Sequence, residues 1–582
     1  MIDALENARA HLLAERNPAG YWEGELSSSA LSTATAVVAL AVIDRDRFSA
    51  LIRSGIAWLV DTQNEDGGWG DTVLSFSNVS TTLLVWGALG LCGGGGEAEA
   101  RAEAWIRSEV GSLDPAEITE KVKARYGKDR TFSVPILMLC AICGRLGDPG
   151  DAWRRVMPLP FELAAIPRRF FGMIRLPVVS YALPALIAIG YARFFHAPPR
   201  WLFPLGWLRK LTWSKASRML SAVQPPTGGF LEATPLTSFV TMALGSSGQA
   251  DHPIVPAALE FLQRSVRDDG SWPIDTNLST WGTTLAVKAL AEGGGFSSSD
   301  QEPVLDWLLG QQYREIHPFT DAKPGGWAWT DLAGGVPDAD DTAGALLAID
   351  ALGGERPECR AAAERGLIWL LDLQNRDGGI PTFCRGWGAL PFDRSSQDLS
   401  AHALRAWLVW RDRMPAELRS RINRCAGRAL RYLEKAQDPD GAWTPLWFGN
   451  QHVEGELNRT YATAKVLLAL EKVDFDEFPS ARQMCESGTA WLLGAQGPDG
   501  GWGGDRAAPP SIEETALALC ALGALGIHRE RGYAWLLHAT EGGQTFPASP
   551  IGFYFAKLWY YERLYPQVWT LEALGRAQRH SE

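Results

Sequence analysis

Apolar residues recur along most of the chain with the spacing of α-helices rather than of β-strands. The stretches 284–290 and 515–525 are examples, in which apolar and small side chains follow one another with few interruptions. Helices that are apolar on every face are typical of a protein interior. The pattern therefore predicts an all-α protein with many buried helices.

A short phrase separates these helices and recurs along the chain. In it an apolar helix ends in Gln and is followed by an Asp/Gly turn and, in most copies, by Trp. The copies occupy 63–69, 263–272, 374–379, 437–443 and 496–502, and a weaker one runs from 311 to 327. From residue 263 they lie roughly 50 to 60 residues apart, which is enough for two helices and a turn. We expect the glycines to adopt positive φ and the Gln, beside an indole, to tie consecutive repeats together.

These phrases resemble the Gln-Trp repeats of the squalene–hopene and oxidosqualene cyclases. The resemblance begins at Gly20–Leu26 and ends near Tyr565 and Pro566, so that it covers nearly the whole chain. It implies two α/α barrel domains that enclose a cavity. In this interpretation residues 1–20 plus 255–582 form a catalytic barrel, and residues 21–254 form an inserted second barrel, with approximate boundaries.

Composition narrows the choice of partner. The chain has 582 residues, a net charge of -12 and 25 Trp, and 46% of its residues are hydrophobic. A nucleic-acid partner would require a surplus of Lys and Arg, so we expect an apolar ligand instead. The eight scattered Cys and the absence of an opening signal-like segment favour a reducing cytosol.

An acidic cluster stands out after the Gly334–Pro337 turn. Asp338-Ala-Asp-Asp-Thr-Ala343 precedes an apolar helix, and by itself it would suit a helix cap, while its spacing supplies few ligands for calcium. Clustered carboxylates in a dry pocket can also hold one of their number protonated, which protonation of an alkene requires. The cluster titrates as a unit, so a single acid is a model choice.

The cluster is similar to the protonation motif of the cyclase family at every specified position. The resemblance implies that Asp340 is the acid, with Asp338 and Asp341 as charged neighbours. Residues 395–402 resemble the family segment whose histidine hydrogen-bonds the acid, which points to His402. A satisfied core histidine is the alternative. Asp398, one helical turn earlier, is a candidate to orient or charge His402.

Aromatic faces can stabilise a carbocation without trapping it. By resemblance the substrate-binding side chains are Trp281, Trp329, Trp447, Phe383, Tyr181, Tyr554 and Tyr561. For any one Trp, repeat stacking or core packing is the competing interpretation. Gly282 stands where hopene-forming enzymes carry Asp, and residues 27–34 lack a Glu of their terminal water network. The product and the terminating step stay open.

The segment Met157–Lys210 is rich in Pro, Phe and Leu, with interspersed Arg. Its longest uncharged run, 176–192, is at the short limit for a membrane span and contains Pro, so a transmembrane helix is rejected. A buried helix with a solvated Arg face is one alternative. The family's membrane-facing channel favours a monotopic, peripheral patch on the cytoplasmic face of the membrane.

The resulting hypothesis is a class II terpene cyclase that converts squalene or a related C30 isoprenoid to a hopene-like triterpene. A prenyl diphosphate substrate is the alternative, and it would need a cluster of Lys and Arg at the pocket mouth together with bound magnesium. Lys121, Lys123, Arg125, Lys128 and Arg130 are the candidates for that cluster, and a solvated linker is the competing interpretation of these residues. A protein-prenylating barrel would need a zinc site of Asp, Cys and His, which has no match at recognisable spacing. We expect no cofactor and no metal for the squalene-type reaction, and a homodimer is left open.

Overall fold

The computed structural model describes residues 1–127, 129–167, 170–171, 178–198, 203–295, 297–388, 390–553 and 557–579. Helices dominate these residues, and the α-helices are numbered here in chain order. Those of the N-terminal half are α1 (Ile2–Ala14), α2 (Ala30–Asp44), α3 (Ser49–Asp61), α4 (Val79–Cys92), α5 (Gly96–Val110), α6 (Pro115–Tyr126), α7 (Arg130–Ile142), α8 (Pro149–Arg155), α9 (Val178–His196), α10 (Phe203–Ala222), α11 (Thr234–Ser246) and α12 (Val255–Ser265).

The C-terminal half continues the series with longer and more regular pairs. Its helices are α13 (Ser279–Glu292), α14 (Ser298–Gly310), α15 (Ala339–Gly353), α16 (Pro357–Leu373), α17 (Gln397–Trp410), α18 (Ala416–Ala436), α19 (Arg459–Leu470), α20 (Ser480–Gly494), α21 (Ile512–Ala524), α22 (Glu530–Ala539) and α23 (Leu564–Arg579). Short 3-10 helices cover Phe161–Ala165, Phe230–Glu232, Arg411–Arg413 and Glu454–Glu456.

Six helices of the C-terminal half form a closed inner ring. Each packs against the next in the order α13, α15, α17, α19, α21 and α23, and α23 closes on α13. Outer helices cover this ring, with α14 and α16 on α15, α18 on α17, α20 on α19, α22 on α21 and, from the far end of the chain, α1 on α23. The inner helices are buried on nearly every face, which explains their continuous apolar sequences.

The N-terminal half forms a second ring. Its inner helices are α2, α4, α7, α9 and α11, and α11 packs back against α2. Outer helices again cover this ring, with α3 and α5 on α4, α6 and α8 on α7, α10 on α9, and α12 on α11. The expected all-α class with two α/α barrels is confirmed. The domain boundaries stay a prediction, and the packing of α12 on α11 favours assigning residues 255–265 to this second ring.

The repeat phrases bind the outer helices together. Gln374 donates from Nε2 to the carbonyl of Gly378 at 2.8 Å and to that of Cys425, on the next outer helix, at 2.9 Å. Gln437 repeats this arrangement with Gly441 at 2.8 Å and Met484 at 3.0 Å. Gln therefore links consecutive repeats, as expected, although its partners are backbone carbonyls rather than an indole.

The Trp of each phrase anchors its turn to the helix before it. The indole N–H of Trp443 donates to the carbonyl of Leu433 at 2.8 Å, and that of Trp502 donates to Leu492 at 2.8 Å. Trp272 keeps this bond, to Leu262 at 2.7 Å. The tryptophan bond is therefore present even in the copy whose glutamine does not link the repeats.

The glutamine of two predicted copies is misplaced. Gln263 is exposed, and it does not occupy the position in its phrase from which the other glutamines link consecutive repeats. In the weaker copy Gln312, rather than Gln311, makes the paired bonds to Gly325 and Ala362, each at 2.9 Å. The sequence analysis also missed a copy without Trp, in which Gln224 donates to the carbonyls of Gly228 at 3.2 Å and Ile254 at 2.9 Å.

In the part of the chain that the structure describes, three two-stranded sheets connect loops at the helix ends. They are formed by β1 (Ser28–Ser29) with β2 (Trp272–Pro273), β3 (Ile380–Pro381) with β4 (Ser395–Ser396), and β5 (Ile551–Phe553) with β6 (Leu558–Tyr560), all antiparallel. The β3–β4 hairpin joins the acidic cluster to its neighbours, because the Thr382 carbonyl accepts the backbone N–H of Ala339 at 2.9 Å.

Candidate active site

The acidic cluster forms the N-terminal end of α15. Asp338 is the N-cap residue, and its carboxylate accepts the backbone N–H groups of Asp340 and Asp341, each at 2.9 Å. The cap interpretation is thus correct for Asp338, whose carboxyl group is occupied by the turn. Asp340 and Asp341 lie in the first helical turn with their side chains available for other partners.

Asp340 is bonded to the next inner helix. Nδ1 of His402, on α17, lies 2.5 Å from Oδ1 of Asp340. The His402 side chain is 2% exposed and that of Asp340 is 15% exposed, so the bond is shielded from bulk water. Nε2 of His402 is buried without a hydrogen-bond partner among the described residues. The histidine predicted from its flanking sequence therefore contacts Asp340 directly.

Burial favours the protonated forms of the neighbouring acids. It raises the pKa of Asp338 to about 7. Burial and the adjacent Asp338 and Asp340 carboxyl groups raise the pKa of Asp341 well above its usual range. We expected both residues to be charged neighbours of Asp340, whereas the raised pKa of Asp341 favours its neutral form.

The proton between Asp340 and His402 has two competing positions. Burial and the nearby Lys465 lower the pKa of His402 to about 3. Burial raises the pKa of Asp340, but a charged, hydrogen-bonded His402 together with Lys465 and Lys288 outweighs burial and brings the pKa below its ordinary value. A charged ring is inconsistent with the depressed histidine pKa. We assign a neutral His402, because burial and the neighbouring lysines all oppose a further cation at this position.

Asp398 has a different role from the one expected. Its Oδ1 accepts the hydroxyl of Ser396, and its second oxygen is buried without a partner among the residues that the structure describes. Burial raises its pKa to about 6. It lies at the start of α17, and it is Asp340 that hydrogen-bonds the His402 ring.

Aromatic rings gather around Phe383 beside the cluster. Its ring centroid lies 5.3 Å from that of Tyr181, 6.2 Å from that of Trp447 and 6.4 Å from that of Trp329. Phe392 completes the group at 5.6 Å. Trp447 is held by its indole N–H, which donates to the Thr382 hydroxyl at 2.6 Å. Four of the predicted aromatic residues are thereby brought together.

Trp281 lies on the other side of the acid. Its ring meets the edge of His402 at 6.2 Å, and its indole N–H donates to the Tyr565 hydroxyl at 3.0 Å. The hydroxyls of Tyr565 and Tyr560 are 2.8 Å apart. Tyr461, on α19, is also buried here and packs its ring against Phe448 at 4.4 Å. The sequence analysis missed these three tyrosines, although Tyr560 and Tyr565 lie in its closing phrase.

Tyr561 and Tyr554 are the two remaining residues predicted to bind substrate. Tyr561 is half-buried beside Arg267 and Glu25, and its backbone pairs with Ser27. It is not part of the group around Phe383, and its neighbour Tyr560 takes the position near the acid. Tyr554 lies outside the described residues. Within the described residues, no group of three or more His, Cys, Asp or Glu side chains could hold a metal ion.

The segment predicted to face a membrane has a mixed surface. Trp207, Leu208 and Leu211 on α10 are exposed, as is Phe195 at the end of α9. Arg209 is buried instead of forming a rim, because its guanidinium pairs with Glu162 at 3.0 Å. The expected Arg168, Arg169, Arg175 and Arg200 lie outside the described residues. Among the helices of the described residues, none is both long and apolar enough to cross a bilayer.

Comparison with known proteins identifies related sequences over most of the chain. Residues 277–579 match the sequence model of the squalene-hopene cyclase C-terminal domain, and residues 5–127 match that of the N-terminal domain. A probable squalene–hopene cyclase of Sinorhizobium fredii is 24% identical over 98% of this chain and 96% of its own length. A squalene–hopene cyclase of Bradyrhizobium diazoefficiens is 30% identical over 42% of this chain and 39% of its own.

Coverage differs among the relatives. For three of them the matched region spans only 20%, 39% and 42% of the relative's own length. Among solved structures, ent-copalyl diphosphate synthase from Streptomyces platensis superimposes with a TM-score of 0.59 and 21% identity, over 99% of both chains. That similarity supports the fold.

Proposed function

Since the chain belongs to the squalene–hopene cyclase family, we propose that this terpene cyclase protonates a terminal alkene of squalene or a related C30 isoprenoid and folds it into a polycyclic, hopene-like triterpene. The hydrogen bond between Asp340 and His402 is the observation that carries the proposal. It gives one carboxyl group of the cluster a partner that can stabilise its anion after proton loss.

The proposed reaction begins at Asp340. Its O–H bond breaks as a terminal alkene carbon gains the proton, which leaves a tertiary carbocation and a carboxylate. The N–H of His402 at Nδ1 then donates to that carboxylate. Later cations move past the faces of Trp329, Phe383 and Trp447, which supply negative charge density without a nucleophile. Loss of a proton or capture of water ends the reaction.

A prenyl diphosphate is the alternative substrate, and three of its five proposed basic ligands are otherwise engaged. Arg125 pairs with Glu456 at 3.1 Å, Lys123 pairs with Glu120 at 2.8 Å, and Lys121 donates to the Glu109 carbonyl at 2.6 Å. Arg130 is exposed, and Lys128 lies outside the described residues. These contacts favour the uncharged polyene.

Incubation of the purified protein with squalene, geranylgeranyl diphosphate and farnesyl diphosphate, followed by mass spectrometry, tests the substrate. We expect a cyclic C30 product from squalene, and none with the Asp340→Asn variant. A cyclic product that retains its diphosphate would select the alternative. Linear substrate recovered from all three incubations would contradict cyclisation.

We also propose that the protein is peripheral and monotopic at the cytoplasmic face of a membrane. A water-insoluble polyene must be taken from a bilayer, and the exposed Trp207, Leu208 and Leu211 supply an apolar surface for attachment. The β3–β4 loop exposes Trp387 as well, on the connection that carries Phe383. Substrate entering near this loop would arrive at the aromatic group.

A further inference from the structure

Two lysines lie inside the catalytic ring, close to the acid. Lys288 on α13 and Lys465 on α19 both approach Trp281, with Nζ 5.9 Å and 5.6 Å from its ring centroid. Lys465 is only 9% exposed. Among the described residues, no carboxylate lies within ion-pairing distance, 4.0 Å, of either ammonium group. Buried cations of this kind act on whatever ionisable group they face.

The ring of His402 is such a group. It meets the edge of the same Trp281 at 6.2 Å, so that both lysines and the histidine surround one indole. Its Nδ1 contacts Asp340, while Nε2 is buried without a hydrogen-bond partner among the described residues. A bare Nε2 is what a neutral imidazole has when its proton is on Nδ1.

The position of one proton decides whether the pair can react. An Asp340 carboxyl group next to a neutral His402 can protonate an alkene. A carboxylate next to an imidazolium cannot, because the transferable proton is then on nitrogen. Both states hold the same number of protons, so pH alone does not choose between them. A neighbouring positive charge opposes the imidazolium and favours the carboxylate, so it places the proton on Asp340 only if it acts more strongly on the ring than on the carboxylate.

The two lysines contribute unequally to this effect. Burial and Lys465 lower the pKa of His402 to about 3, although Asp340 acts in the opposite direction, and Lys288 adds to the lowering. Lys465 acts on His402 more strongly than Asp340 does, whereas its effect on Asp340 is weaker than that of His402, so Lys465 acts more on the ring than on the carboxylate. Burial and Lys465 also lower the pKa of Lys288 itself to about 7. Lys288 is therefore only partly charged at neutral pH, which makes Lys465 the principal cation and Lys288 the assisting one.

The other charged and titratable groups around the histidine do not cancel the effect. On its own helix Asp398 is bonded to Ser396, and Arg405 adds positive charge rather than negative. Tyr461 of α19 and Tyr432 of α18 are neutral, because burial raises the pKa of each above its ordinary value. Glu572 of α23, the acid that acts on Lys288, is paired with Arg576 at 3.2 Å.

We propose that Lys465, assisted by Lys288, is a positioning residue that keeps His402 neutral, with its proton on Nδ1, so that the reacting proton rests on Asp340. The inference rests on the proposed function and adds to it a way in which the lysines control the position of the reacting proton. The same lysines stabilise the Asp340 carboxylate once the alkene has taken the proton, because both act on that carboxyl group through their positive charge.

Histidine NMR on the full-length protein tests the inference without substrate. With histidine isotopically labelled, the signal of His402 is assigned by its loss in His402→Asn, among nine histidines. We expect a neutral ring with the proton on Nδ1 at pH 7 in the wild type, and an imidazolium in Lys465→Met. An imidazolium in the wild type, or an unchanged signal in the variant, would overturn the proposal. Because no turnover is needed, this result is independent of whether squalene is the substrate.

Kinetics provides a second signature. Lys465→Met should lower kcat at least about tenfold with KM unchanged, and should shift the alkaline limb of the kcat profile to higher pH, because the pair then holds its proton more tightly. Lys465→Arg should restore most of the rate.

Lys472→Met, at a lysine paired with Glu471 on the surface at 3.0 Å, is the matched control. If Lys465→Met fails to fold, Lys288→Met and the wild-type spectrum decide the question. If kcat and KM both change and the alkaline limb of the kcat profile does not shift, the role of the lysine is merely structural.

Discussion

Asp340 and His402 lie on neighbouring inner helices, α15 and α17, and are joined by a contact of 2.5 Å between Oδ1 and Nδ1. The two residues are 62 positions apart in the chain. Their contact depends on adjacent repeats placing the first turn of one inner helix beside the second turn of the next. Both ends of the bond can therefore be tested separately.

Replacing Asp340 by Asn should abolish cyclisation while leaving the fold intact. The amide has nearly the volume of the carboxyl group but no acidic proton, so we expect a loss of roughly 1000-fold or more. Turnover is measured by product mass spectrometry and folding by circular dichroism. Asp476→Asn, at a side chain that is 97% exposed, is the control. Activity of Asp340→Asn near that of the control would exclude Asp340 as the acid.

Replacing His402 by Ala should slow the reaction less than loss of Asp340 does. The histidine orients the acid and stabilises its anion but does not supply the proton, so we expect a loss of roughly 100-fold in kcat. His402→Asn should retain more activity than His402→Ala, because its side-chain amide can replace the Nδ1 donor. Equal losses in both variants would argue against a role for that hydrogen bond.

Removing one repeat-linking glutamine should destabilise the protein. Gln374 is 2% exposed and donates to two carbonyls at 2.8 Å and 2.9 Å, so Gln374→Ala removes the donor from both. We expect the free energy of unfolding to fall by roughly 2 kcal/mol. Denaturant titration measures it. The exposed Gln263 is the matched control, and comparable losses for Gln263→Ala would show that the bonds are not the cause.

Stability should depend on pH through Glu513. Burial raises the pKa of this residue from 4.5 to about 8, so the folded state binds a proton that the unfolded state has lost between those values. Its contribution is therefore fully present below about pH 4.5 and is lost as the pH rises towards 8. Glu513→Gln should match the wild type near pH 4.5 and exceed its free energy of unfolding by roughly 4 kcal/mol near pH 8. A difference that does not change with pH would refute this assignment.

The apolar surface on α10 should hold the protein on membranes. Changing Trp207 and Leu211 to Glu places charges where apolar side chains would enter the bilayer, so binding to liposomes should fall at least about tenfold. Turnover of liposome-held substrate should fall with it, while detergent-solubilised substrate still reacts. Ile2→Glu, an exposed apolar position on α1, is the control. Unchanged liposome sedimentation of the double variant would leave the peripheral location without support.

Local pattern was sufficient for the helices, most of the repeat phrases and the acidic cap. The turn glycines do adopt positive φ, as at Gly378 with φ +96 and Gly500 with φ +107, because the chain reverses there at the end of an outer helix. The glutamines show the limit of such inference, since Gln263 fits the phrase in sequence whereas Gln224 and Gln312 make the linking bonds. Packing decides which residue at the end of an outer helix faces the turn, and the sequence of a single phrase does not specify it.

The sequence by itself determined the all-α class, the repeats, the acidic cluster and the histidine that contacts it, because each depends on residues close together in the chain or on a motif carried intact. Only the tertiary structure decided what surrounds them. Lys288, Lys465, Tyr560 and Tyr565 come from three different inner helices and a short strand, and each is isolated from the acidic cluster in the chain. Their charges and hydroxyls converge on the acid because the ring closes α23 onto α13, and the pKa values that follow depend on burial and distance, which exist only in the folded chain.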